Sequence, residues 1–114
     1  MNNSYLRFLQ NISQTTTHLQ LNKDLSPTAI FLLNEIAVKD FEGQPLIVSQ
    51  AMELYALGSP ANLHRKIYEL HEAGMISLTN IGADRRTKYL FLTQAAKDYF
   101  QIKNDAMVKA VQSR

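Results

Sequence analysis

The chain has 114 residues, 46% of them hydrophobic and 19% charged, with four Gly and three Pro. That is the make-up of one ordinary folded domain, and it excludes a second large catalytic domain, a collagenous chain and a disordered one. No apolar run approaches the roughly 18 to 20 residues of a membrane span, the opening MNNSYLRFLQNISQ lacks the basic and apolar blocks of a signal peptide, and cysteine is absent; disulfides and thiolate chemistry are excluded, and the cytoplasm is the expected compartment.

The net charge of +2 is unevenly spread: residues 1–58 hold three Lys or Arg against five acids, residues 59–90 five against three, and residues 91–114 four against two. The basic excess of the C-terminal half fits an anionic partner, although an excess of this size is also common in proteins that bind none.

In chain order, Tyr5, Leu6, Phe8, Leu9 and Ile12 recur at helical spacing and predict an amphipathic helix over residues 4–14, whose apolar stripe needs a partner surface in the same chain or a second copy. Thr15–Thr17 and His18 read as a frayed turn. Ser26 and Pro27 are a helix start, a capping hydroxyl followed by a proline suited to the first turn. The run Ile30, Leu33, Ile36, Ala37 predicts a core-facing helix ending before Phe41, with Gly43 and Pro45 marking the break.

Leu46–Val48 is long enough for one short strand, and Ser49 is placed to cap a short helix carrying Ala51, Met52 and Tyr55. Gly58 then permits a left-handed turn, and Ser59-Pro60 repeats the Ser-Pro start. The helix that follows buries Leu63, Ile67 and Leu70 on one face, shows Ala61, Arg65 and Tyr68 on the other, flanked by Asn62 and His64, and ends at Gly74. Met75–Leu78 and Thr87–Leu92 predict a hairpin whose tip, Asn80–Arg86, is basic. Thr93 caps a last helix from about Gln94 to Val111, with Ala95, Tyr99, Ile102 and Ala106 on one stripe beside Ala96, Phe100 and Met107.

Helix, Gly-containing turn, second helix with a polar outer face, basic hairpin: this is the order of a winged helix-turn-helix, so the expected fold is mainly α with a small β-hairpin wing. The expected organisation is a single domain, with residues 1–25 as an N-terminal helical and dimerisation segment, 26–93 as the core and 94–114 as the C-terminal helix. The second helix of such a unit fits the major groove of B-DNA, roughly 12 Å wide, where side chains reach base edges. Arg65 suits a bidentate guanine contact, Asn62 an adenine or a phosphate, and His64 is a further candidate beside Ala61 and Lys66. Ser49 and Ser59 offer hydroxyls to phosphates, and Arg85, Arg86 and Lys88 lie on the hairpin.

These stretches resemble the MarR family of bacterial transcriptional regulators over roughly residues 26–100. ADRRTKYLFLT, with Asp84-Arg85-Arg86 followed by Thr93, is similar to the family's wing signature, and GSPANLHRKIYELHEAGMI to its recognition helix and exit into the first wing strand. The segment Val48–Ser59 is slightly longer than the usual pattern, and Ala96 stands where the family commonly has Gly. The resemblance implies a homodimer on palindromic double-stranded DNA, wing arginines in the minor groove with Arg86 foremost, Asp84 bracing the wing by pairing with a basic residue such as Arg65, and release by an unidentified small-molecule effector. Tyr5, Phe8, Leu9 and Ile12, with Tyr99, Ile102 and Ala106, are the dimerisation candidates.

Plainer readings stand beside these. Arg65 and Lys66 are also what a solvated helix face looks like, and a winged helix that binds a protein partner through the same surface is the alternative function. His64 and His71 with Glu72 lack a compact third ligand, so no metal site is expected. Asp24, Glu35, Asp40 and Glu42 form no paired-carboxylate or nucleophile–base pattern, and no cofactor loop is legible; neither enzyme activity nor a cofactor is expected.

Overall fold

The computed structural model describes residues 3–16 and 25–112. In chain order the elements are α1 (Ser4–Thr16), α2 (Pro27–Phe41), α3 (Val48–Met52), α4 (Pro60–Glu72), β1 (Ile76–Thr79), β2 (Tyr89–Leu92) and α5 (Gln94–Gln112). The protein is thus mainly helical with one antiparallel hairpin, the winged helix-turn-helix arrangement that the element order predicts. The turn predicted at Thr17 and His18, like Asp24, lies outside the described residues. Two compact units divide the chain: residues 25–96, and the described residues before 25 with those from Lys97 onward.

In the first unit, α2 begins as its sequence dictates. Ser26 sits extended at the N-cap with its Oγ accepting the Ala29 N–H at 3.3 Å, and Pro27 opens the helix. Ala29, Leu32, Leu33 and Ile36 are its buried face; the stripe is rotated from the expected one, so that Ile30 and Ala37 are only half-buried. The helix also runs through Phe41 rather than stopping before it. Near its end the Asp40 carboxylate accepts the Leu92 N–H at 2.8 Å, tying α2 to β2.

Residues 46–48 do not make the predicted strand; they form a single antiparallel bridge, Ile47 to Tyr89. The Leu90 N–H donates to the Leu46 carbonyl at 2.8 Å and the Val48 N–H to the Lys88 carbonyl at 3.1 Å. Because the chain turns helical directly after that bridge, the N-cap is Ile47 and not Ser49, which lies inside the first turn. The Ile47 N–H is satisfied by Gln50 Oε1 at 3.0 Å, an acceptor Ile47 itself cannot offer in return. The helix ends at Met52, before Tyr55. Gly58 has φ 159°, well away from the left-handed helical value expected for it.

α4 repeats the Ser-Pro start, with Ser59 Oγ accepting the Asn62 N–H at 3.2 Å, and it buries Leu63, Ile67 and Leu70. It ends in a Schellman motif: the N–H of Gly74 (φ 75°) donates to His71 and that of Met75 to Leu70, each at 3.0 Å. This use of the Met75 N–H explains why β1 starts at Ile76, one residue later than predicted. The register pairs Ile76 with Leu92 and Thr79 with Tyr89, so the wing loop runs over residues 80–88 and is longer than the predicted tip. Thr93 caps α5 by accepting the Ala96 N–H at 3.2 Å, and its own hydroxyl donates to the Gly74 carbonyl at 2.6 Å.

In the second unit, α1 lies antiparallel to the C-terminal part of α5. Arg7 Nε donates to the Ala110 carbonyl at 2.9 Å and Asn11 Nδ2 to the Ala106 carbonyl at 3.1 Å. Ala106 and Ala110 are buried, and their small side chains leave those carbonyls within reach. Tyr99 is buried too, with the Lys103 ammonium 4.4 Å from its ring centroid. Among the described residues no helix is long and apolar enough to cross a membrane.

Candidate nucleic-acid interface

The 3.6-residue period of the helix gives α4 two faces. Leu63, Ile67 and Leu70 point into the core, so Ala61, His64, Arg65 and Tyr68 are exposed. Arg65 Nη2 reaches Asn62 Oδ1 at only 3.4 Å, a weak contact that leaves the guanidinium free to bind elsewhere. The His64 and Tyr68 rings, one turn apart, meet edge-on with centroids 5.0 Å apart. Lys66 departs from the expectation that grouped it with this face. Its ammonium pairs with Glu69 at 3.2 Å and is half-buried, because position 66 is turned about 100° from position 65.

The wing is organised by Asp84, though not through Arg65. Asp84 Oδ1 accepts the Arg86 N–H at 2.9 Å and Oδ2 accepts the Thr87 hydroxyl at 2.6 Å. The Thr87 hydroxyl first, and then the Arg86 N–H, hold the Asp84 carboxyl below its ordinary range. Asn80 Nδ2 donates to the Thr87 carbonyl at 2.7 Å across the loop, and Gly82, with φ 70°, makes the left-handed turn at the tip. Arg85, Arg86 and Lys88 are exposed.

Between the wing base, α3 and α4 runs a groove of about 380 Å³. Ile47, Val48 and Met52 form its apolar side; Ser49, His64, Arg86 and Lys88 its polar side, with Thr87 between. The structure therefore brings Ser49, His64, Arg86 and Lys88 together, while Arg85 lies apart on the loop and Ser59 at the start of α4. Among the described residues, Arg65, Arg85, Arg86 and Lys88 make no ion pair, whereas Lys66 pairs with Glu69. No group of three His, Cys, Asp or Glu among the described residues is placed to hold a metal ion.

Glu69 was not singled out from the sequence, yet it accepts the Ser26 N–H, the Ser26 hydroxyl and the Lys66 ammonium together. Its i,i+3 spacing from Lys66 was the available signal; the link to Ser26 spans 43 residues and had none. Of the dimerisation candidates, Tyr5 and Leu9 are exposed, Phe8, Ile12 and Ile102 half-buried, and Tyr99 and Ala106 already buried within the chain.

No known protein family matches the chain's sequence, and no curated protein does. Among solved structures the chain is similar to the crystal structure of the transcriptional regulator Tm0710 from Thermotoga maritima, with a TM-score of 0.63 and 15% identity over 95% of this chain and 75% of that one. A likeness at that identity establishes the fold: the chain folds as that transcriptional regulator does.

Proposed function

We propose that this protein is a sequence-specific double-stranded DNA-binding transcriptional regulator of MarR type, acting in the cytoplasm as a homodimer on an inverted repeat, and a binding protein rather than an enzyme. The observation that carries this reading is the set of exposed cations without carboxylate partners, Arg65 on α4 and Arg85, Arg86 and Lys88 on the wing. Cations placed on a helix and on the adjoining hairpin match what a duplex presents, base edges in the groove and phosphates at its walls. Arg65 reads a guanine, Asn62 and His64 contact its neighbours, and Arg85 and Arg86 reach toward the minor groove. Exposed apolar side chains of the second unit, Tyr5, Leu6 and Leu9 on α1 and Met107, Val108 and Val111 on α5, support a second copy, which would set the two α4 helices about 34 Å apart on DNA. The wing pattern Asp84-Arg85-Arg86 supports the MarR reading, and with it an effector of unidentified chemistry.

Selection from a randomised duplex library at about 150 mM salt, where non-specific attraction is weak, tests the proposal. An enriched inverted repeat is expected. Arg65→Ala should then cost about 1 to 3 kcal/mol on that site and relax one base position, whereas Arg85→Ala should weaken binding uniformly and flatten the salt dependence. Absence of any enriched sequence would overturn the reading.

A protein-interaction role is favoured by one feature: α2 exposes Phe31, Val38 and, 92% accessible, Phe41. Singly exposed apolar residues are ordinary, but three on one helix form an apolar face of the kind that supports a partner. Salt-insensitive behaviour on DNA would transfer weight to that role.

A further inference from the structure

The groove at the wing base has a chemical alternation of its own. Its apolar side is Ile47, Val48 and Met52, and its polar side carries Ser49, His64, Arg86 and Lys88. No carboxylate lines it: Glu53, next to Met52, is not on its wall, and Asp84, two residues before Arg86, accepts the Arg86 N–H and the Thr87 hydroxyl. Thr87 therefore has its hydroxyl proton committed, and the free hydroxyl left, beside the His64 imidazole, is that of Ser49, which has no hydrogen-bond partner among the described residues. Cations without counter-ions beside an apolar wall suit a ligand that is anionic at one point and carbon-rich on either side of it. A nucleic-acid backbone has that repeat, a phosphate between two sugars.

We infer that this groove is a clamp for one phosphodiester of the DNA backbone, with Lys88 and Ser49 on its non-bridging oxygens and the adjacent deoxyribose against Val48 and Met52. The inference rests on the DNA-binding reading above and adds a division of labour to it. The exposed face of α4 reads bases; the groove sets where the duplex lies on the protein, one contact per half-site. Asp84 is then a positioning residue, because by holding the Arg86 N–H and the Thr87 hydroxyl it fixes the end of the wing loop that presents Lys88. Ionic hydrogen bonds to phosphate are strong enough for a single such contact to be measurable.

The test uses the full chain and the duplex recovered by selection, resynthesised with one uncharged methylphosphonate at each backbone position in turn. One position per half-site should lower wild-type affinity about ten-fold. At that position Lys88→Gln and Ser49→Ala should lose much of the sensitivity, since the contact is already gone, while Lys97→Gln, which removes a charge on α5, should keep all of it. Uniform small losses at every position, the same in wild type and Lys88→Gln, would overturn the clamp and leave the regulator reading standing. Failure to retain any duplex, charged or neutralised, would overturn both.

Discussion

Glu69 on α4 accepts the backbone N–H of Ser26, the N-cap of α2, at 3.0 Å. The same carboxylate takes the Ser26 hydroxyl at 3.1 Å and the Lys66 ammonium at 3.2 Å, so one side chain satisfies the start of one helix and fixes the rotation of another. The base-reading face proposed for α4 is directed in part by this bond.

Glu69→Gln should therefore destabilise the fold by about 1 kcal/mol near neutral pH. Burial acts to raise the Glu69 pKa, but the Ser26 N–H, the Lys66 ammonium and the Ser26 hydroxyl outweigh it and hold the carboxyl below its ordinary value of 4.5. A depressed folded value means that the stabilisation is complete above the unfolded value and disappears as pH falls through the folded one. Urea midpoints of wild type and variant should differ near pH 7 and converge in acid below that range. A gap that stays constant on acidification would show that the charge on Glu69 contributes nothing.

Asp84→Ala should free the Arg86 amide and the Thr87 hydroxyl. Asp84 is fully exposed, so the expected effect is local: faster hydrogen exchange at the Arg86 amide, with the thermal midpoint of the domain unchanged. Unaltered protection of that amide would mean that the wing loop holds its shape without the carboxylate.

Neighbouring positions on α4 should respond in opposite ways to truncation. Ile67 has no exposed surface, and Ile67→Ala is expected to cost about 2 to 5 kcal/mol in urea unfolding. Tyr68 is 42% exposed, and Tyr68→Ala should change stability by less than about 0.5 kcal/mol while remaining free to alter DNA preference. Similar costs at both positions would mean that the helix is rotated from the orientation described.

Arg7→Ala removes the donor to the Ala110 carbonyl, one of the last-turn carbonyls of α5 that has no partner within the helix. A cation there also complements the helix dipole. Loss of about 1 kcal/mol, with earlier fraying of the final turn of α5 seen by hydrogen exchange, is expected. An unchanged final turn would assign that carbonyl to solvent.

Much of the fold was legible because its signals are local. Ser26-Pro27, Ser59-Pro60 and Thr93 announce helix starts within four residues of themselves, and all three cap as expected. Leu63, Ile67 and Leu70 reveal the buried side of α4 by spacing alone, and the exposed Ala61, His64, Arg65 and Tyr68 follow from the same period. The readings that shifted are those where a local rule met a distant bond. Ser49 is a good capping residue, yet the Val48 N–H goes to Lys88 across the bridge and the helix begins two residues earlier, with Ile47 as its cap. Lys66 is adjacent to Arg65 in sequence, yet Glu69, one turn on, holds its ammonium.

Periodicity, capping chemistry and turn residues are properties of short segments, and from them the chain alone settles that it builds four sizeable helices, one short helix and a basic hairpin. Which polar groups meet across 43 residues, as Ser26 and Glu69 do, or across 52, as Asp40 and Leu92 do, is decided only when those segments pack. Packing chooses because a half-buried N–H or carboxylate must find a partner among whatever the neighbouring element presents, and that choice depends on the relative rotation of whole helices. The groove of Ser49, Arg86 and Lys88 has the same origin: three residues legible one by one in the sequence become one surface only once the wing folds beside α3.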